Sequence, residues 1–433
     1  MLGNGYSSPS SSTSRRRRGR PRGSRGSYGY WQPQAHPRRQ QQQQQQPHQR
    51  QQQQNDRSPV VPPYTEFDMA YFRAYSHIGV HEEMIKDRVR TETYKSAIMR
   101  YQHLISGKVV LDVGCGTGIL AIFCAFAGAK RVYAVDASEI AVQAREVVKD
   151  NNLSDRVTVL LGRVEDVSIG EKVDVIVSEW MGYMLLYESM LPSIIFARDK
   201  WLKPGGFILP SHASLFLAPV TNSDRYRESI DFWRDVYGIN MSSMIPHARL
   251  YSFEEPCIET ISGENVLTWP IIVKEVDCYT ITARELETVT AKFSFSSMLT
   301  APLNGFAFWF DVVFNGPANS SSNQPEAPLG SLTDQKPEAP LGSLADQQPE
   351  ASSQSKKKVK SDEGIVLSTA PEDAPTHWQQ TLLYLFDPIE LKQDQKIEGS
   401  VTLSQSKENQ RFLNIRLEYS TAGRSFVKDS MMR

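Results

Sequence analysis

The sequence predicts two unlike halves. The first is an α/β half, doubly wound around a parallel sheet; the second is an antiparallel sheet or barrel. Three observations carry this. Short β runs at 109–113, 132–135 and 157–161 are separated by helical stretches at 119–127 and 138–151, with a fourth run at 173–178. That alternation is the mark of a parallel sheet with helices on both faces. Past Pro210 the strand-like runs (214–219, 271–277, 291–295, 306–314, 381–385, 397–403, 413–419) follow one another without crossover helices, which favours antiparallel pairing. The chain has 433 residues, enough for two domains with full cores beside a tail.

The tail comes first. Residues 1–63 carry RRRRGRPRGSRGSYGYW and then a Gln-rich stretch, a composition too charged and too poor in apolar groups to build a core. Residues 1–58 hold eleven Arg, no Lys and one acid, Asp56, a net of +10. The rest of the chain holds 37 basic and 48 acidic side chains, so the overall charge of −1 conceals a basic tail on an acidic body. Tyr6, Tyr28, Tyr30 and Trp31 add ring faces on which RNA bases could stack beside phosphate-binding Arg; nuclear import or simple solubility is the plainer use. No apolar run reaches the ~18 residues of a membrane span, and no apolar h-region of a secretory signal is present. Cys115, Cys124, Cys257 and Cys278 have no C-x-x-C spacing, so neither a zinc site nor a disulfide framework is expected, and no metal is assigned.

The first strand, VVLDV, runs into a turn with Gly114, Gly116 and Gly118 and then a helix. Glycines there let the backbone approach a ligand and adopt positive φ. The G-x-G-x-G spacing departs from the dinucleotide fingerprint, and many α/β turns are merely structural. Asp136 strengthens the signal. It ends the second strand, 22 residues past Gly114, where an acid can accept both ribose hydroxyl protons. Together they indicate a ligand containing adenosine. Asp112, just ahead of the glycines, is placed for the ligand's amino end. Glu165, after the third strand, is placed for the adenine amino group, although alone it reads as a solvated loop acid.

The fourth strand is expected to end at Glu179 in DVIVSEWMGYMLLYES, with Glu188 nine residues on, just ahead of a helix at 190–201. Strand carboxyl ends are where open α/β sheets do their chemistry. Each Glu has a plain reading, Glu188 as a first-turn helix acid and Glu179 as an ordinary strand end. Yet Trp180, Met181, Tyr183, Met184 and Tyr187 surround both with apolar and aromatic groups. Two carboxylates in such a loop repel unless a cation or a shared proton lies between them. A guanidinium, planar and always charged, is the natural cation.

In the second half, residues 222–255 interrupt the strands with a helical, aromatic-rich piece (Tyr226, Phe232, Trp233, Tyr237). Residues 317–363 contain six Pro, no aromatic residue and a duplicated twelve-residue unit, PEAPLGSLTDQK and PEAPLGSLADQQ. They read as a disordered repeat insertion between two strands, since a loop of this length adds little closure entropy.

These motifs resemble those of the protein arginine methyltransferases. The resemblance runs from Tyr64 to the C-terminus, apart from the insertion. YFRAYSHIGVHEEMIKDRVRTETY resembles the family's N-terminal helix, VLDVGCGTG its cofactor motif, SEWMGYMLLYES its double-Glu loop, and Thr376-His377-Trp378 its THW loop. In detail it is closest to the subtype numbered six, a type I enzyme making asymmetric dimethylarginine. Asp136 stands where the family usually has Glu, and Cys115 where Ser is common. The resemblance implies a Rossmann-like methyltransferase domain at 64–210. A β-barrel substrate domain follows at 211–433, with 222–255 as a dimerisation arm and a homodimer as the assembly. The cofactor it implies is S-adenosyl-L-methionine. Arg90 would hold the cofactor's carboxylate and His81 would lie against it; Asp112 and Gly114 would meet the methionine end. Asp136 would take the ribose, Glu165 the adenine, and Met190 the adenine side. Tyr75 would stand near the reaction centre, and Met84 would shape product choice.

A guanidinium is protonated at cellular pH and is a poor nucleophile. Glu179 and Glu188 would grip it and draw its charge toward the nitrogens they bind, leaving electron density on the nitrogen to be methylated. His377, paired with Asp87, would relay the departing proton or tie the domains together. Expected substrates are histone tails and Arg/Gly-rich proteins, with a role in chromatin and a nuclear location. The tail's own Arg18-Gly19, Arg22-Gly23 and Arg25-Gly26 steps are candidate self-methylation sites. Without tail and insertion the body holds 32 basic and 41 acidic side chains, a balance that steers Arg-rich substrates toward it. Two rivals are a catalytically idle scaffold or RNA-binding protein, which has no use for the Glu pair, and a small-molecule methyltransferase, which has no use for the second β domain.

Overall fold

Four helices precede the first strand in the computed structural model, which describes residues 65–188, 190–317 and 364–433. The tail at 1–63 and the repeat insertion beyond Pro317 lie outside the described residues. The helices are α1 (Glu66–Ala74), α2 (Ile78–Lys86), α3 (Arg88–Arg100) and α4 (Gln102–Ile105). Thr65 and Asp68 form a reciprocal cap at the start of α1, and Asp87 caps α3 through the Arg90 amide.

The parallel sheet follows. It contains β1 (Val109–Val113), β2 (Arg131–Asp136), β3 (Val157–Leu161), β4 (Val173–Val177) and β5 (Leu202–Leu209), in the order β3-β2-β1-β4-β5. α5 (Ile119–Phe126), α6 (Ile140–Asp150) and α7 (Leu191–Trp201) connect and cover it. Every residue of β1 is buried, because helices shield both faces. The strand order reverses between β1 and β4, so the loops after these two strands flank the crevice where such sheets bind ligands.

Two details differ from expectation. β4 stops at Val177, and Glu179 lies two residues beyond it. The Ser178 amide still donates to the Leu209 carbonyl of β5 (3.1 Å), but its hydroxyl donates to the Val113 carbonyl (2.7 Å) and its carbonyl accepts from the Tyr94 hydroxyl (3.0 Å). β5 is unforeseen because Pro204-Gly205-Gly206 reads as a turn. Gly206 instead lets the strand close on β4, where a Cβ would lie 2.7 Å from the Asp174 carbonyl oxygen.

The second half begins with β6 (His212–Val220), α8 (Ser223–Ser229), α9 (Ile245–Phe253), β7 (Cys257–Glu259), β8 (Ile271–Asp277), α10 (Arg284–Glu287) and β9 (Thr288–Ser296). It continues with β10 (Ala301–Phe314), β11 (Ile365–Ser368), β12 (Gln380–Leu391), β13 (Lys396–Gln405), β14 (Leu413–Thr421) and β15 (Arg424–Met432). Two antiparallel sheets result, β7-β12-β10-β6-β8 with β11 on β10, and β15-β14-β13-β9. Phe306 of the first contacts Phe293 and Tyr419 of the second at ring separations of 5.9 and 5.2 Å, forming the barrel-like core. Phe314 pairs with Ile365, so the residues flanking the insertion are cross-strand neighbours.

The piece at 222–255 is helical, as expected, with α8, α9 and two short 3-10 turns. Its aromatics divide into two sets. Tyr226 packs on Phe253 (4.6 Å) and donates to the Asn304 carbonyl (3.1 Å). Tyr237 and Tyr251 are 99% and 93% exposed, beside exposed Phe232, Ile239 and Leu250. The two halves share one core, for the Tyr94 and Phe314 rings meet edge to face at 4.8 Å. Among the described residues no helix is long and apolar enough to cross a membrane.

Candidate active site

The turn after β1 uses its glycines as the sequence requires. Gly114, Gly116 and Gly118 have φ of +74°, +54° and +86°. The Gly116 amide donates to Asp136 Oδ2 (2.8 Å), while Asp136 Oδ1 accepts from the Ser138 amide (2.8 Å) and hydroxyl (2.6 Å). Asp136 thus ties β2 to the turn. Two side chains lie over it. A Cβ on Gly114 would collide with Met190 Cε, and one on Gly116 would sit 3.0 Å from His81 Nδ1. His81 is buried and donates from Nε2 to the Tyr75 carbonyl (2.7 Å).

Asp112 is fully buried, and neither carboxylate oxygen has a well-formed hydrogen bond among the described residues. Burial pushes its carboxyl up to about 7; the Ala121 amide facing it opposes this, and the nearby Asp136 charge adds to it. A buried acid without a well-formed hydrogen bond, beside a glycine cradle, fits a ligand that brings an ammonium group and a compact backbone-facing end. Glu165 stands farther along the crevice, accepting from the Ser193 hydroxyl of α7 (2.7 Å).

The loop from Glu179 to Glu188 is strained. Met184, Leu185 and Glu188 all have positive φ (+53°, +64° and +69°), and strain of this kind persists where surrounding contacts over-determine it. Glu179 receives Arg90 from α3: Nε and Nη2 both reach Oε2, at 3.1 and 3.0 Å, and both side chains are under a tenth exposed. Glu188 Oε2 accepts from the hydroxyls of Tyr71 of α1 (3.1 Å) and of Tyr75, the residue that caps it (2.6 Å). Burial pushes the Glu188 carboxyl above its usual range; the two tyrosine hydrogen bonds and the Arg411 charge oppose this, and the Glu179 charge reinforces it. The structure therefore brings the two carboxylates close enough to sense one another.

The loop before β12 closes this region. His377 sits on Asp87, with its backbone amide at 2.8 Å and its Nδ1 at 2.7 Å from Oδ2. Burial works against the Asp87 charge, yet hydrogen bonds from His377 and the Arg90 amide hold its carboxyl below the usual range. Trp378 Nε1 donates to the Met181 carbonyl (3.0 Å), fastening the same loop to the double-carboxylate loop.

Residues 211–329 and 355–424 match the arginine methyltransferase oligomerization subdomain, and residues 92–211 match the ribosomal protein L11 methyltransferase family. A probable protein arginine N-methyltransferase 6.2 of Oryza sativa subsp. indica is 68% identical over 370 residues, which span 85% of this chain and 90% of the relative. The protein arginine N-methyltransferase 6 of Xenopus tropicalis is 43% identical over 364 residues, spanning 83% and 93%. The chain belongs to the protein arginine N-methyltransferase family. Among solved structures, the Trypanosoma brucei PRMT1 enzyme–prozyme heterotetramer with AdoHcy matches with a TM-score of 0.68 at 33% identity, over 83% of this chain and all of that one. Arabidopsis thaliana protein arginine methyltransferase 10, in an open conformation, matches with a TM-score of 0.66 at 34% identity, over 84% of this chain and all of that one. As a member of this family the chain is a methyltransferase of protein arginine with S-adenosylmethionine as donor, and it carries both the parallel-sheet and the barrel-like halves expected of it.

Twelve site residues follow from sequence, and the structure gathers them around one crevice in three groups. Asp112, Gly114, Asp136, His81 and Met190 line the glycine turn, with Glu165 beyond; Glu179, Glu188, Arg90 and Tyr75 form the carboxylate pair and its partners; Asp87 and His377 tie the barrel to α3. Sequence reasoning missed Arg411 and Tyr71. Tyr71 sits one helical turn before Tyr75, and that i, i+4 spacing was a usable signal. Arg411 gave none, because its partners are over 200 residues away.

Proposed function

We propose that this enzyme forms mono- and asymmetric dimethylarginine on histone tails and Arg/Gly-rich proteins, with Glu179 and Glu188 gripping the substrate guanidinium. The observation that carries this is the Arg90–Glu179 pair. A guanidinium already rests on Glu179 through two donors, in a buried setting where such pairs are strong. When bound, S-adenosylmethionine supplies an electrophilic methyl group. Arg90 would hold its carboxylate, the ionised Asp112 its ammonium, Asp136 its ribose and Glu165 its adenine, with His81 and Met190 closing over the glycine turn.

The protein's own part is placement and charge. Tyr71 and Tyr75 fix Oε2 of Glu188, so the carboxylate is oriented before substrate arrives. Held between the two carboxylates, the guanidinium has its charge drawn toward the nitrogens they bind, and its remaining nitrogen is aimed down the crevice. Glu188, raised by burial, is suited to take the proton that the methylated nitrogen sheds. His377 and Asp87 serve chiefly as a tie, since both His377 contacts fall on Asp87 Oδ2.

The exposed Phe232, Tyr237, Ile239, Leu250 and Tyr251 support a homodimer formed through 222–255. Chromatin substrates and the Arg-rich tail support a nuclear location. The test of function is direct: incubate the protein with methyl-labelled S-adenosylmethionine and an Arg/Gly-rich peptide or histone tails, then analyse the product by mass spectrometry. Mono- and asymmetric dimethylarginine are expected. Donor binding without label on arginine would refute the proposal.

A further inference from the structure

Tyr71 of helix α1 and Tyr75 at its C-cap orient Glu188, yet none of the helix's own residues is fully buried. A helix of nine residues whose inner stripe, Asp68, Tyr71 and Phe72, is only half-buried is marginal by itself. Its retention therefore depends on a few specific contacts, and several of these converge on Arg411. Arg411 lies in the loop between β13 and β14, shaped by Asn409, which accepts the Arg411 amide (3.0 Å). Its Nε and Nη2 reach Asp68 Oδ1 of α1 at 3.2 and 2.7 Å. Asp68 meanwhile uses Oδ2 to cap the helix at the Thr65 amide (3.0 Å). The guanidinium stacks over the Tyr71 ring, 3.8 Å from its centroid. Phe412, the next residue, meets Phe67 of α1 edge to face at 6.2 Å.

The same arginine grips the backbone of Glu188 at both polar atoms. Nη1 donates to the Glu188 carbonyl (2.9 Å), and the Arg411 carbonyl accepts the Glu188 amide (3.0 Å). These two bonds hold Glu188 in its left-handed conformation. One residue of the barrel thus joins α1, a ring beside the site and the carboxylate loop.

We propose that Arg411 is the latch of the active site, a positioning residue that closes α1 over Glu188 and sets that carboxylate for guanidinium capture. The role assigned to Glu188 rests on the function proposed above; the closure of α1 does not. Closing the latch orders α1 and brings Tyr71 and Tyr75 onto Glu188. Opening it releases α1 and leaves Glu188 without its orienting hydroxyls. Glycine-turn residues touch neither Arg411 nor Asp68 in this arrangement, so donor binding is less affected than substrate capture.

The test uses the full-length protein with Arg411→Ala, Arg411→Lys and Asp68→Asn. Asp68→Asn removes the charge of the latch but keeps an oxygen able to cap α1 and leaves the Glu188 backbone contacts in place. Hydrogen exchange of residues 66–74 is measured together with KM and kcat for an Arg/Gly-rich peptide and the Kd for S-adenosylhomocysteine. We expect exchange at 66–74 to quicken at least tenfold in Arg411→Ala and Asp68→Asn, with exchange at 109–113 unchanged. Peptide KM should rise about tenfold in both, kcat should fall more in Arg411→Ala than in Asp68→Asn, and the Kd should stay within threefold. Arg411→Lys should fall between wild type and Arg411→Ala. Exchange at 66–74 within twofold of wild type in both variants would overturn the latch, and faster exchange with unaltered KM would overturn its positioning role. A wild-type protein that methylates no arginine would overturn the function proposed above, while the exchange measurement would still decide whether Arg411 closes α1.

Discussion

Replacing Asp112 with Asn should change how the stability of the ligand-free enzyme depends on pH. Asp112 is fully buried without a well-formed hydrogen bond among the described residues, and burial raises its carboxyl from 3.8 to about 7 against the Ala121 amide. The unfolded chain releases this proton near pH 4, whereas the folded chain keeps it until near pH 7. The group's contribution to stability is therefore fully present below about pH 4 and is lost as pH rises through 7. About three pKa units correspond to a loss on the order of 4 kcal/mol, of which roughly 2 kcal/mol falls between pH 5.5 and 8. Asp112→Asn carries no charge at any pH and escapes that loss. Urea unfolding of both proteins at pH 5.5 and 8 measures the difference. The affinity for S-adenosylhomocysteine supplies a second reading. Its ammonium would pair with the ionised carboxylate, so wild-type affinity should weaken roughly tenfold from pH 8 to pH 6, and the variant's should not. Parallel stability profiles for the two proteins, with a flat wild-type affinity, would refute the assignment of Asp112.

Two further outcomes follow. His377→Ala should lower stability by about 1–3 kcal/mol, because Asp87 is left buried without its charge-assisted partner; urea unfolding checks this, and a loss confined to activity would favour a proton relay instead. Tyr251→Asp combined with Tyr237→Asp should leave a folded monomer, and an unaltered mass by light scattering would remove those residues from the dimer interface.

Much of the fold was legible because local patterns and tertiary context agree. VVLDV is apolar but for Asp112 because it lies inside a covered sheet, and β14 alternates because one of its faces is solvated. β5 was not legible, since Gly205 and Gly206 signal a turn and only the close approach of Gly206 to β4 makes this stretch strand. β15 was missed because RSFVKDSMM has few apolar residues, and its pairing with β14 rather than its own composition decides it. Within the site, proximity that rests on spacing was legible: the glycine turn with Asp136, and Glu179 with Glu188. Chemistry that rests on distant contacts was not. Asp68 and Arg411 meet across 343 positions, and neither residue is unusual in its own neighbourhood. Asp136 shows a subtler gap, for its carboxylate also holds the Gly116 amide and Ser138, a structural duty that spacing alone does not reveal.

The most direct measurement is single-turnover methyl transfer to an Arg/Gly-rich peptide by wild type, Glu179→Gln and Glu188→Gln, with S-adenosylhomocysteine affinity determined in parallel. Each Gln keeps the shape and loses the charge that would hold and polarise a guanidinium. Transfer should fall by at least a hundredfold in each variant while affinity for the donor product stays within a few-fold of wild type. Transfer at near wild-type rates in both variants would contradict a guanidinium grip by these two carboxylates.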